Sequence, residues 1–189
     1  MRHFNICTIS AAALITAAIA LGCDRSADLT APSRSARSDR VAAQVVKQVP
    51  FKVTFNATST AADVPEDRCP VLTVQVHGTG HATHLGRLTG DQSNCAAPLG
   101  TTFAITDGEF TLTAANGDQI VGTYFGELVP LAPPMFSIDG PFTITGGTGR
   151  FTGATGGGDV SGVQNLATGD ATISLVGTVS SVGSTKSSP

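Results

Sequence analysis

From residue 49 onward, apolar and polar residues alternate along the chain. Phe51-Lys-Val-Thr-Phe-Asn56 carries an apolar side chain at every second position, the period of a half-buried β-strand. Leu72-Thr-Val-Gln-Val-His77 repeats the pattern, with Leu72, Val74 and Val76 on one face and Thr73, Gln75 and His77 on the other. Ser59 to Arg68, between them, reads as a loop. Gly78-Thr-Gly80 reads as a break in the ladder, His81 to Leu88 as a third strand and Gly90 to Gly100 as a loop. Thr101 to Thr106 and Glu109 to Ala114 read as two strands joined by Asp107-Gly108, and Asn116-Gly117 as a second hairpin turn leading into Gln119 to Leu128. A loop with Pro130, Pro133 and Pro134 follows. Phe136 to Thr145 is then a strand interrupted at Asp139-Gly140-Pro141. Gly158 to Leu166 and Ala171 to Ser180, linked by Ala167-Thr-Gly-Asp170, end the series.

That makes eight or nine short strands, evenly spaced, with no helical periodicity between them, which excludes a parallel βαβ fold. An all-β, antiparallel, eight-stranded closed barrel is the expected architecture, with little or no helix in it, because closure removes exposed strand edges. Its inner face should carry Phe51, Phe55, Val74, Val76, Phe103, Ile105, Phe110, Leu112, Phe136, Ile138, Phe142, Ile144, Ile173 and Leu175. Glycines inside strands (Gly122, Gly126, Gly140, Gly162, Gly177) suit the bends of a barrel. The densest glycine run, Gly146 to Gly162, has eight glycines in seventeen residues. It reads as a long corner between two strands with Phe151 as its apolar plug. It lacks the Lys-Ser/Thr ending and the following helix of a phosphate-binding loop.

Composition changes the picture mainly at the N-terminus. Arg2 and His3 precede an uncharged apolar run, Ile6 to Leu21, too short to span a membrane comfortably. The run ends Ala20-Leu21-Gly22-Cys23, which resembles the bacterial lipobox, although Ala20 stands where leucine is usual. Residues 1–22 are therefore expected to be a lipoprotein-type signal peptide, with Cys23 the lipidation site. Ordinary secretion is the alternative. Residues 23–48 read as a flexible tether, 49–181 as the barrel and 182–189 as a disordered tail. Cys23 to Gln48 holds five Lys/Arg and three Asp, whereas 49–181 holds four Lys/Arg and eleven Asp/Glu. An acidic domain without basic-aromatic patches is not expected to bind nucleic acid. The expected location is the bacterial cell envelope, on the periplasmic or extracellular face, with the membrane as a partner through the lipid anchor.

Three blocks carry a resemblance. Gly146-Gly-Thr-Gly-Arg-Phe-Thr-Gly-Ala-Thr-Gly-Gly-Gly-Asp-Val-Ser-Gly162, preceded by Phe142-Thr-Ile-Thr, resembles the glycine-rich strand connection of the allene oxide cyclase and dirigent-protein barrels. GHATHLGRLT (80–89) and GEFTLTAANGDQIVGTYFG (108–126) resemble bacterial secreted proteins with such a barrel. The match covers roughly 70–181. It implies a barrel with a cavity that steers radical coupling or closes a fatty-acid ring. No ordered match to the catalytic or substrate-guiding residues of those families is present, so none is transferred.

Candidate chemistry is sparse. With Cys7 in the signal peptide and Cys23 acylated, Cys69 and Cys95 remain, and in an oxidising compartment they are expected to form a disulfide. His77, His81 and His84 lie close together, but on an uninterrupted strand the first two share a face that the third leaves, so no metal site is expected. His84 is read as a structural or cavity histidine bonded to backbone or threonine hydroxyls. Glu109 should face outward, and Glu127 inward only if Tyr124 and Gly126 mark a bulge. His84 and Glu127 are thus the only candidate catalytic side chains, and no cofactor is expected. The candidate ligand cavity is lined by Phe55, Val76, Phe103, Phe110, Phe142 and Ile144. The expectation is an envelope-attached, non-catalytic barrel that binds a small apolar ligand or a partner surface. A dirigent- or cyclase-like enzyme, or a purely structural barrel, is the alternative.

Overall fold

The computed structural model describes residues 47–62 and 69–180. The expected signal peptide, the expected lipidation site Cys23, residues 23–46 of the expected tether and the expected tail at 182–189 lie outside them. Eight strands form the domain: β1 (Gln48–Ala62), β2 (Leu72–Ala82), β3 (Gly86–Leu99), β4 (Thr102–Ala114), β5 (Gln119–Ala132), β6 (Met135–Gly147), β7 (Gly156–Asn165) and β8 (Asp170–Ser180). Each pairs antiparallel with its sequence neighbours, and β8 pairs back onto β1, so the sheet is a closed barrel in sequential order. The cross-strand ladder from Ser59 runs through Val76, Gln92, Phe110, Gly122, Ile144, Gly156 and Val179. It returns to β1 at Val49 instead of Ser59. This stagger tilts the strands and lets a sheet close.

All fourteen positions expected on the inner face are there: twelve are buried, and Val74 and Phe103 pack against the core half-buried. The outer face carries Thr54, Asn56, Thr58, His77, Thr89, Asp91, Thr143 and Ser161, all exposed. An apolar packed interior with a mainly polar outer face, on which Phe125, Val129, Val163 and Val176 are exposed apolar side chains, is the reverse of a barrel that spans a membrane.

The strands are longer than alternation alone suggested, for local reasons. Asp107-Gly108 is not a hairpin turn. Strand β4 runs through it, with a register shift against β5 between Ile105 and Gly108 and Asp107 at φ 50°. A bulge needs the same left-handed residue that a tight hairpin does, and aspartate tolerates that conformation. The extra residue flips the strand's parity, so Phe103 and Ile105 before it and Gly108, Phe110 and Leu112 after it all face inward. Two expected strands thereby become one and the count settles at eight. The segment 90–100 is not a loop: all but its last residue belongs to β3. Residues 59–62 extend β1, and β6 passes unbroken through Asp139-Gly140-Pro141.

Gly78-Thr-Gly80 is no break either. Strand β2 continues to Ala82 and turns at 83–85. Gly78 and Gly80 face β1 so closely that a Cβ on Gly80 would lie 2.2 Å from the Thr54 carbonyl oxygen and 2.5 Å from Phe55 Cβ. The glycines let the two strands coil sharply over one another.

The corner between β6 and β7 closes one end of the barrel. Residues Gly149–Phe151 form a single 3₁₀ turn, and Phe151 is 1% exposed, filling the plug position expected of it. Arg150 Nε lies 3.0 Å from Asp118 Oδ2 and its guanidinium stacks 5.2 Å from the Phe151 ring, tying the corner to the β4–β5 hairpin at Asn116-Gly117.

Gly80→Ala places a methyl group where only backbone can yield, and is expected to cost about 1–3 kcal/mol, the usual range for overpacking. Gly146→Ala, whose Cβ would meet nothing nearer than Val121 Cγ2 at 3.7 Å, should stay within about 0.5 kcal/mol. Urea unfolding midpoints of the two variants check this; equal midpoints would remove the close-approach explanation.

Candidate functional site

The two ends of the barrel differ. At the closed end lie the turns at 83–85 and 115–118 and the glycine corner. Phe142 sits between Phe51 and Phe110, with ring centroids 6.3 and 6.1 Å apart, and Phe151 caps the stack. At the other end are the connections 99–102, 132–135 and 166–169 and the described flank of the β1–β2 connection. Val71, Leu99, Leu131 and Leu166, one in or next to each, are exposed aliphatic side chains there. This end is the mouth.

A cavity of ≈ 400 Å³ occupies the mouth half. Its apolar wall includes Leu72, Val74, Val76, Phe103, Ile105, Leu128, Ile138, Val160 and Ile173, and it reaches the turn Leu166–Gly169. Phe103 stands edge-on to Phe136, with centroids 6.0 Å apart. Polar groups enter from odd-numbered strands: Ser59 on β1, Gln92 and Asn94 on β3, Tyr124 on β5 and Gln164 on β7.

Two hydrogen-bonded pairs face each other across the barrel. Tyr124 Oη donates to Asn94 Oδ1 at 3.0 Å, bridging over β4. It reaches that far because β4 carries Gly108 at the crossing; a Cβ there would lie 2.7 Å from the tyrosine ring. Asn94 in turn donates from Nδ2 to the Cys95 carbonyl at 3.1 Å. Opposite, Gln164 Nε2 donates to Ser59 Oγ at 2.5 Å and Ser59 Oγ donates to the Gly169 carbonyl at 3.1 Å, bridging over β8. Gln92 lies between Val76 and Phe110 on the inner ladder. Its amide makes no hydrogen bond among the described residues.

The disulfide Cys69–Cys95 is formed, with an S–S distance of 1.98 Å. Cys95 follows Asn94, the β3 residue that lies opposite the bulged pair Asp107-Gly108 of β4. The bond therefore clamps the start of β2 to the wall beside the β4 bulge, where Asn94 faces inward by the same alternation as Gln92 and Ala96.

The sequence-nominated site residues fall in several places. Val76 and Phe103 line the cavity, whereas Phe55, Phe110, Phe142 and Ile144 are in the packed core. His84 is exposed in the β2–β3 turn at φ 68°, with Nε2 3.1 Å from the Pro50 carbonyl, at the closed end and far along the strands from the mouth. Glu127 sits outside the cavity lining and accepts a hydrogen bond from Thr102 Oγ1. His77 is on the outer wall, with Nδ1 2.7 Å from Asp91 Oδ1, and His81 is exposed. No group of three or more His, Cys, Asp or Glu among the described residues could hold a metal ion. The sequence reading missed Gln92, Asn94 and Gln164 altogether. The one signal for the first two was polar residues at alternate positions in a stretch otherwise too poor in apolar residues to read as a strand.

The fold and cavity define a closed eight-stranded antiparallel barrel, packed at one end and hollow at the other. Compared with protein-family models, curated proteins and solved structures, the chain matches none.

Tyr124→Phe removes the hydroxyl that satisfies Asn94 Oδ1. It is expected to cost about 1 kcal/mol, the net worth of a typical hydrogen bond, with the fold intact. Thermal unfolding with far-UV circular dichroism checks both halves, and an unchanged midpoint would show that the pair holds nothing in place.

Proposed function

We propose that the chain is an envelope-attached, non-catalytic barrel that holds a small apolar ligand in its mouth cavity. The observation that carries this reading is the cavity. Its ≈ 400 Å³ falls within the range of small-molecule sites, about 300–1,000 Å³, and its wall is mostly aliphatic and aromatic with a few placed polar groups. The exposed aliphatic residues around the mouth give an apolar molecule a surface to approach.

The chemistry of the lining supports holding over reacting. General acid–base catalysis uses a side chain that titrates near the working pH, and the lining offers amides, hydroxyls and one phenol. A second reading, a cyclase- or dirigent-like barrel that steers a reactive intermediate, draws on one observation. The Tyr124 phenol is held over the cavity by Asn94 and could direct an intermediate without taking its proton. Kinship with the allene oxide cyclase and dirigent barrels belongs to the same proposal and rests on the three sequence blocks. A closed barrel agrees with it, but unrelated proteins share that architecture.

Native mass spectrometry of the purified protein, with an organic extract of the same sample, tests the reading. A co-purifying small molecule is expected; a ligand-free mass together with no thermal stabilisation by uncharged ten-carbon probes would overturn it. Attachment to the envelope is tested separately. Cys23→Ser should move the protein from the membrane pellet to the soluble fraction and abolish metabolic labelling with palmitate, and a variant that stays labelled and pelleted would refute lipidation at that residue.

A further inference from the structure

We infer that the cavity selects uncharged ligands: an apolar body of roughly a dozen non-hydrogen atoms carrying a neutral hydrogen-bonding head, such as a primary amide or an alcohol, that pairs with Gln92. The inference rests on the ligand-holding reading and goes beyond it by naming the ligand's charge and the residue that reads its head.

Size follows from volume. A water takes about 30 Å³ of liquid, so ≈ 400 Å³ holds roughly a dozen atoms of that size. Charge follows from the lining. Among the described residues the cavity wall carries no Lys, Arg, His, Asp or Glu, so an ionised head would be buried without an opposite charge from them, which is among the costliest arrangements a protein can make. The described cations, Lys47, Lys52, Arg87 and Arg150, all belong to the closed half of the barrel and cannot reach down to a carboxylate in the cavity.

The head is assigned by accounting for the polar groups. Asn94 is committed on both sides, accepting from Tyr124 and donating to the Cys95 carbonyl. Ser59 accepts from Gln164 and donates to Gly169. Asn94 and Gln164 each keep a second N–H, and Gln164 its carbonyl oxygen, but of the lining amides Gln92 alone has its whole amide without a hydrogen bond among the described residues. An amide offers one acceptor and two donor hydrogens, so Gln92 pairs best with a head that both donates and accepts. A carboxylate only accepts and an ammonium only donates, so either would pair with half of the Gln92 amide while burying its charge.

The test is isothermal titration of the purified protein at pH 7.5 with four probes of one chain length: decanamide, 1-decanol, decanoate and decylammonium. The two neutral probes are expected to bind at least tenfold more tightly than the two ions. Gln92→Leu, which keeps the volume, is expected to weaken decanamide five- to tenfold and to leave a hydrocarbon, n-decane in a competition format, unchanged. Decanoate or decylammonium binding as tightly as decanamide would overturn the selectivity while leaving the ligand-holding reading standing. So would a Gln92→Leu protein that binds decanamide normally. If none of the probes binds, n-decane included, the ligand-holding reading itself fails and the inference with it.

Discussion

Phenylalanine rings packed where glycines leave room decide the shape of this barrel. A ring on one strand needs space above its neighbour, and at the closed end the neighbour is repeatedly glycine. A Cβ on Gly122 would lie 2.5 Å from Phe110 Cζ, and one on Gly90 would touch the rims of Leu112 and Phe55. Large beside small is how a narrow barrel is filled. The pairing stops halfway along. In the mouth half most inward residues are Val, Ile, Leu and Ala with Gln, Asn and Ser, joined by Phe103, Phe136 and Tyr124, and together they leave the middle unfilled. The cavity is thus where the ring-and-glycine packing runs out, and the closed end supplies the stability that an unfilled half lacks.

The same division explains what the sequence disclosed. Where the inner face is purely apolar, alternation located it without error: Phe51, Phe55, Phe110, Leu112, Phe142, Ile144, Ile173 and Leu175 are all inside. The barrel class was legible for that reason. Strand β3 was not, because Gln92 and Asn94 face the cavity while Asp91 and Ser93 face solvent, so both faces are polar and the period vanishes. A strand that hides from a hydrophobicity pattern is one whose inner face meets something other than core. The failure of the pattern at 90–100 marked the site, although no rule of alternation could have said so in advance.

Asp107-Gly108 misled for a different reason. The dipeptide reports a backbone that visits the left-handed region, and a hairpin and a bulge both need that. Only tertiary context separates them. A hairpin there would have put Phe103 and Ile105 in a strand separate from Phe110 and Leu112. The bulge instead keeps all four inside one strand and brings Gly108 under the Tyr124 ring. The choice between turn and bulge is therefore what allows Tyr124 to cross β4 and meet Asn94.

Asn94 stands where three constraints meet, and that bears on how rigid the cavity is. It is the residue that lies opposite the β4 bulge, it is adjacent to the disulfide through Cys95, and it accepts the Tyr124 hydroxyl. Without such restraint the bulged β4 could slip back into register against β3, since one residue of slip turns a side chain to the opposite face. The disulfide acts against that from outside the barrel and the tyrosine from inside. On the chain-entropy account the bond contributes about 3.5 kcal/mol through the loop it closes. Its placement beside the bulge adds a local effect that loop length does not measure. One wall of the cavity is in this way held in a single arrangement, and Gln92, two residues along the same strand, is held with it.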